Sequence, residues 1–166
     1  MPSPAQVMPY FVSLGEAYEG NRNLYYGDGK QLSRDDVEDI YKYSTSGHKG
    51  GVWSHLDAKI SAGKIESIHR VENGTLIAKS VQPLDDILGE DCYVDLEFNS
   101  QGLPVRKSQT QSYNQGKNIY FWKPRENAVA RFWAYSGWAI LSCLRYPADT
   151  DDALGVLSCA EGTPKK

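Results

Sequence analysis

The sequence predicts an α+β chain that is mostly β. The expected form is an antiparallel up-and-down meander of seven to nine strands, curled or closed into a barrel, with one short N-terminal helix near 34–43. Three observations carry that expectation. Only Arg34–Tyr43 spaces apolar residues at helical period behind a capping residue. From Val52 onward, short alternating runs are separated by turn signals such as Asn73-Gly74. Three of the four Trp, with a dense set of Tyr and Phe, fall between Asn118 and Pro147, and such residues fit a pleated, half-buried surface.

The chain reads as a single domain over 1–166: an irregular segment at 1–32, helix at 33–46, β-meander at 52–160 and a tail at 161–166. Pro4, Pro9, Gly15, Gly20, Gly27 and Gly29 interrupt the first segment, and Pro9–Leu14 fits a strand or a helical turn equally well. Ser33 is a good N-cap, with Asp35, Asp36 and Glu38 where the helix dipole favours acids. Val52–Ile60, Lys64–Val71 and Thr75–Val81 follow as strands, the last two joined by Asn73-Gly74. Cys92–Phe98 alternates cleanly and, through the turn Asn99–Gly102, pairs Asp95 with Arg106 and Leu96 with Val105 in a long strand Leu103–Tyr113.

Two hairpins are then expected. Ser136-Gly137 sets Tyr135 opposite Trp138, Trp133 opposite Ile140, Phe132 opposite Leu141 and Arg131 opposite Ser142. A loop at Pro124–Asn127 pairs Lys123 with Ala128, Trp122 with Val129 and Tyr120 with Arg131. Side chains alternate across a strand. One face therefore carries Ile119, Phe121, Ala130, Phe132, Ala134, Ala139, Leu141 and Cys143, which is core. The other carries Tyr120, Trp122, Val129, Arg131, Trp133, Tyr135, Trp138, Ile140, Ser142 and Leu144. Extended back through the turns, that second face joins Tyr113, Gln111, Gln109 and Lys107 to Val105, Phe98, Leu96, Val94 and Cys92.

Length and an ordinary composition suffice for a self-sufficient core. A net charge of −3 gives no bulk attraction to nucleic acid, and no run reaches the length of a membrane span. Charge is uneven: Asp85–Glu97 is acidic throughout, whereas Arg106–Arg145 carries a single acid, Glu126, so neighbouring strands are expected to pair opposite charges. Cys143 and Cys159 lie in late segments that form a disulfide in an exported chain, with Cys92 left over; in the cytoplasm all three are small buried hydrophobes. The first residues lack the basic start and apolar core of a signal peptide. Low Lys and abundant Tyr, Ser, Gly and Asn incline the reading toward a mature periplasmic or secreted monomer, with the cytoplasm as alternative.

Gly51-Val52-Trp53 resembles the Gly-x-Trp at the entry of lipocalin barrels, and Arg145 would be the late Arg that packs on that Trp. The resemblance covers three residues and implies architecture alone. His48, His55 and His69 are too far apart for a zinc site. Asp149–Asp152 with Gly155 departs from the calcium-loop pattern, and Gly27–Lys30 from a phosphate loop. No metal or cofactor is implied. His55 with Asp57 on one strand face is the one acid/base pairing available to an enzyme, but no nucleophile is marked beside it.

Function is therefore expected to be non-catalytic binding of a small aromatic, sugar-like or anionic ligand. Trp122, Trp133 and Tyr120 supply stacking, with Tyr135 and Trp138 beside them. Arg131 and Lys107 supply charge, and Gln109 and Gln111 polar orientation. The alternative is a small exported protein-binding module, of inhibitor or immunity type, acting through Asp85–Glu97 or the Tyr-rich N-terminal loops. A hydrolase using His55 and Asp57 is the third reading.

Overall fold

A computed structural model describes residues 1–46, 52–135 and 137–145. Among these residues the chain is mostly β: two helices precede one seven-stranded mixed sheet that does not close. The helices are α1 (Pro4–Tyr18) and α2 (Arg34–Ser46). The strands are β1 (Val52–Ser61), β2 (Lys64–Glu72), β3 (Thr75–Pro83), β4 (Cys92–Asp95), β5 (Asn118–Trp122), β6 (Ala128–Tyr135) and β7 (Trp138–Arg145).

α1 occupies the segment expected to be irregular. Ser3 starts it, Pro4 sits in the first turn where its missing N–H costs nothing, and the Gln6 side chain accepts the Ser3 N–H at 2.8 Å. Pro9 is exposed within the helix, on the side away from the buried stripe Val7, Met8, Phe11, Leu14 and Ala17. That stripe, recurring at three and four residues, outweighs one lost backbone bond. α2 runs three residues beyond the expected Tyr43. Its cap is the expected one: Ser33 Oγ accepts the Asp36 N–H at 3.1 Å, and the Asp36 carboxylate accepts the Ser33 N–H at 3.0 Å. Leu14 and Ala17 of α1 meet Val37 and Tyr41 of α2, and Tyr18 stacks on Tyr41 at 3.9 Å.

The strand order is β3-β2-β1-β6-β7-β5-β4, with every pair antiparallel except β5–β7. The expected meander is thereby corrected, and β3 and β4 remain as edges. The pairings of Lys123 with Ala128, Trp122 with Val129 and Tyr120 with Arg131 do not form, because β7 lies between β5 and β6. Arg125 N–H donates to the Cys143 carbonyl at 3.0 Å, so the chain leaving β5 runs on alongside β7 before it turns. The β6–β7 hairpin keeps its expected register at all four pairs from Arg131–Ser142 to Tyr135–Trp138.

Leu103–Tyr113 is not a strand. Phe98 bridges Pro104 and Val94 bridges Lys107, one register apart, and pairing stops at Ser108. Beyond it, the polar run folds around buried Asn118, whose side chain donates to Thr110 Oγ1 (2.8 Å) and the Ser112 carbonyl (3.0 Å) and accepts Asn114 N–H (2.7 Å). With that strand gone, parity does not carry across. Cys92 and Val94 pair with Phe121 and Ile119 and lie in the core, opposite to the expected side.

The core packs Val7, Met8 and Phe11 of α1 against Leu56, Ala58, Ile60, Val94, Ile119, Phe121, Phe132 and Leu141 of the sheet. Phe11 meets Phe132 edge-on at 5.3 Å. The acidic and basic stretches pair as expected: Arg106 with Asp95 (3.3 Å) and Glu97 (2.8 Å), Lys107 with Glu90 (2.8 Å), Arg125 with Asp91 (3.6 Å). No helix among the described residues is long and apolar enough to cross a membrane.

Candidate functional site

The face of the sheet opposite the α1 core carries rows of side chains that cross the strands. Cross-strand partners stand roughly 5 Å apart and successive strands about 4.8 Å. Tyr93 of β4 pairs with Tyr120 of β5, Tyr120 with Ile140 of β7, and Ile140 with Trp133 of β6. Tyr135 and Trp138 pair on one side of this row, and Trp122 lies on the other. These seven residues line an open groove of about 580 Å³. Trp122 is 37% exposed, Trp138 50% and Tyr135 52%.

The rings are ordered against one another rather than loosely displayed. Tyr93 meets Tyr120 edge-on at 4.9 Å, and Tyr120 meets Trp122 edge-on at 5.5 Å, the arrangement that ring quadrupoles favour. Burial raises the Tyr120 hydroxyl above its ordinary value, reinforced by the charge of Asp91. Among the described residues no charged side chain enters the lining. Neither helix contributes to it.

Of the residues expected to meet a ligand, the fold gathers Tyr120, Trp122, Trp133, Tyr135 and Trp138, and adds Tyr93 and Ile140. Arg131 belongs to the same face, but one row along, opposite Ser142 and His55. It is 1% exposed, and its guanidinium donates to His55 Nε2 at 2.9 Å. A guanidinium has no acceptor to offer, so that nitrogen takes the bond through its lone pair. Lys107 lies away from the groove, paired with Glu90. Gln109 lines a separate shallow depression with Asp95, Arg106 and Lys117, and Gln111 is exposed on the 108–117 loop.

Tyr93 escaped the sequence reading because the imagined strand 103–113 inverted its face. The residues themselves held the signal: Cys92 and Val94 have the chemistry of Ile119 and Phe121, which assigns Tyr93 to the side of Tyr120. Cys143 is buried in the core, its thiol pushed up to about 12 by desolvation; Cys92 is buried as well and raised for the same reason. Cys159, and with it the expected disulfide, lies outside the described residues, as do His48 and Asp149–Asp152. His55 and Asp57 are not partners: Asp57 bonds to His69 instead. Among the described residues no three His, Cys, Asp or Glu side chains converge as a metal site would require.

No family model matches the chain, no curated protein is similar to it, and no solved structure matches its fold.

Proposed function

We propose that the open aromatic sheet face of this protein is a non-catalytic binding surface, which holds a small ligand with flat, uncharged, sugar-like or aromatic faces. The observation that supports it is the groove itself: four strands set Tyr93, Tyr120, Ile140 and Trp133 in line, flanked by three exposed aromatic rings. Its volume falls within the range of about 300–1,000 Å³ usual for small-molecule sites. Four aligned positions span three strand spacings, about 14 Å, room for two or three sugar rings or a fused aromatic. The sequence reading also allowed an anion. An uncharged lining with Arg131 buried beside it disfavours that. Single-stranded nucleic acid, which also stacks on aromatic platforms, needs a cationic track, and none lines this groove among the described residues.

Trp emission tests the proposal, because Trp122, Trp133 and Trp138 all line the groove. A panel of neutral oligosaccharides and flat aromatic compounds is titrated against the protein. At least one class should shift or quench the emission saturably, and Trp122→Ala or Trp133→Ala should weaken that binding by about tenfold or more. Saturable binding that both variants retain would place the ligand elsewhere, and an emission unmoved by the whole panel counts against the groove.

A second reading, a protein-binding module, draws on a different observation. Beyond Ser67 the β2–β3 ribbon leaves β1, and there the paired Val71 and Leu76 stand 71% and 65% exposed, while Val81, opposite Glu66 on the edge strand β3, is 54% exposed. An apolar ribbon with an open edge is the surface to which a partner strand adds. Asp at Leu76 and Val81 would abolish such docking and leave the Trp titration intact.

A further inference from the structure

A second cleft, about 710 Å³, opens where the start of α1 lies over β2, far in sequence from the aromatic hairpins. Two residues in its wall are joined. Asp57 Oδ1 stands 2.5 Å from His69 Nδ1, and Asp57 Oδ2 accepts the His69 backbone N–H at 3.0 Å. A carboxylate can only accept, so Nδ1 carries its proton toward Asp57, and in the neutral imidazole Nε2 is the nitrogen with the lone pair. No hydrogen bond reaches Nε2 among the described residues. The ring keeps 15% of its surface, and both residues face the cleft.

Both strands are distorted where this pair forms. Against β6, β1 slips by two residues between His55 and Lys59, so residues 56–58 bulge. On β2, Ile68 has φ +55°, a conformation that a β-branched residue adopts only under constraint, although Ser67 and His69 on either side pair normally with β3. The bulge presents Asp57 and the kink presents His69. Strain of this kind collects where a side chain must be aimed. The rest of the wall includes Ser67, Ser80 and Gln82, neutral donors, and exposed Arg70, which has no carboxylate within ion-pair distance among the described residues.

We propose that Asp57 and His69 form a general acid–base centre that hydrolyses acyl esters bearing a carboxylate, which Arg70 holds. His69 Nε2 takes a proton from water as the water oxygen bonds to the ester carbonyl carbon. The carbonyl oxygen, now anionic, is met by the hydroxyls of Ser67 and Ser80, the cross-strand pair next to His69 and Ala78 on β2 and β3. When the carbonyl re-forms, the ester C–O bond breaks, and the imidazolium returns its proton to the departing alkoxide. Asp57 stays ionised throughout and steadies the transient imidazolium. Water is the nucleophile because, among the described residues, no serine hydroxyl hydrogen-bonds to Nε2.

The full chain is assayed with 4-nitrophenyl acetate and with the 4-nitrophenyl half-ester of succinic acid, following nitrophenolate release. Turnover should exceed that of an equal concentration of free imidazole and favour the half-ester. His69→Gln and Asp57→Asn should each lower it by about a hundredfold or more. Arg70→Ala should lower the ratio of the half-ester rate to the acetate rate. Imidazole added to His69→Gly should restore part of the rate, which a merely structural histidine would not allow. Should the His69 variants fail to fold, carbethoxylation of the wild-type protein, mapped by mass spectrometry, decides: turnover should fall in step with modification of His69. A wild-type rate no better than free imidazole, an Asp57→Asn rate equal to wild type, or turnover surviving full modification of His69 overturns the proposal. Trp titration of the aromatic groove is unaffected by any of these outcomes, so the two sites stand or fall separately.

Discussion

Gly102→Ala isolates the contact that seats α1 on the sheet. Gly102 has φ +75°, and a Cβ there would lie 2.2, 2.3 and 2.4 Å from Pro4 C, Pro4 O and Ala5 N. Non-bonded carbons rest about 3.5–4.0 Å apart, so the turn and the helix start must separate by about 1 Å. Neither side yields cheaply. The turn is fixed by Asn99, whose side chain accepts Gln101 N–H (3.0 Å) and Leu103 N–H (2.9 Å), and Pro4 is buried. The left-handed backbone alone costs an Ala about 1–2 kcal/mol. Losing two hydrogen bonds adds about 1–3 kcal/mol, for a total of about 2–5 kcal/mol. In urea, followed by circular dichroism, that lowers the midpoint by about 1–2 M. Gly74→Ala is the control, since Gly74 has φ +77° but nothing within 4 Å of the added carbon, so it bears only the backbone cost. If Gly102→Ala proves no more destabilising than Gly74→Ala, the contact between the 99–103 turn and α1 is not the one described.

Other perturbations have definite outcomes. Phe11→Ala removes a buried ring packed edge-on against Phe132 and should cost about 3–5 kcal/mol in the same unfolding assay. Arg131→Ala should destabilise the fold by about 1–3 kcal/mol, because it is buried and its removal strips His55 Nε2 of a donor. Ala62 sits at φ +50° in the β1–β2 turn, so Ala62→Asn should raise the melting temperature, stabilising by about 0.5–1 kcal/mol. Cys143 keeps its proton in the folded state to about pH 12, whereas the unfolded thiol ionises near 9.0. The unfolded chain therefore holds fewer protons between these values, and stability falls as pH rises through that window. Cys143→Ala should flatten the decline in melts taken from pH 8 to 11.

How much of this was legible in the sequence depends on what fixed each element. Ser33 with Asp36, and Asn73-Gly74 with both residues at positive φ, are local devices, so α2 and the β2–β3 hairpin could be read directly. The same holds for the β6–β7 register, where a two-residue turn and strict alternation leave one solution. α1 was hidden because Pro9 and Gly15 oppose a helix locally, while its evidence, the buried stripe from Val7 to Ala17, is a tertiary property. The partner of β5 was not legible at all, since parallel neighbours need no turn between them. That the face of Tyr120 and Trp122 still joined that of Trp133 follows from Ile140, which pairs with both Tyr120 and Trp133. Asp57 and His69 were invisible as a pair because a bulge in one strand and a kink in the next bring them together.

The placement of β7 between β5 and β6 has a consequence for assembly. A nascent chain that has emerged only as far as Tyr135 already owns Tyr93, Tyr120, Trp122 and Trp133, yet nothing holds the first three beside the fourth. β7 is the keystone: its pairing with both β5 and β6 joins the halves of the floor. On the proposed reading the platform is incomplete until β7 has paired with both β5 and β6, and a truncation that removes β7 forfeits the whole of it rather than one edge.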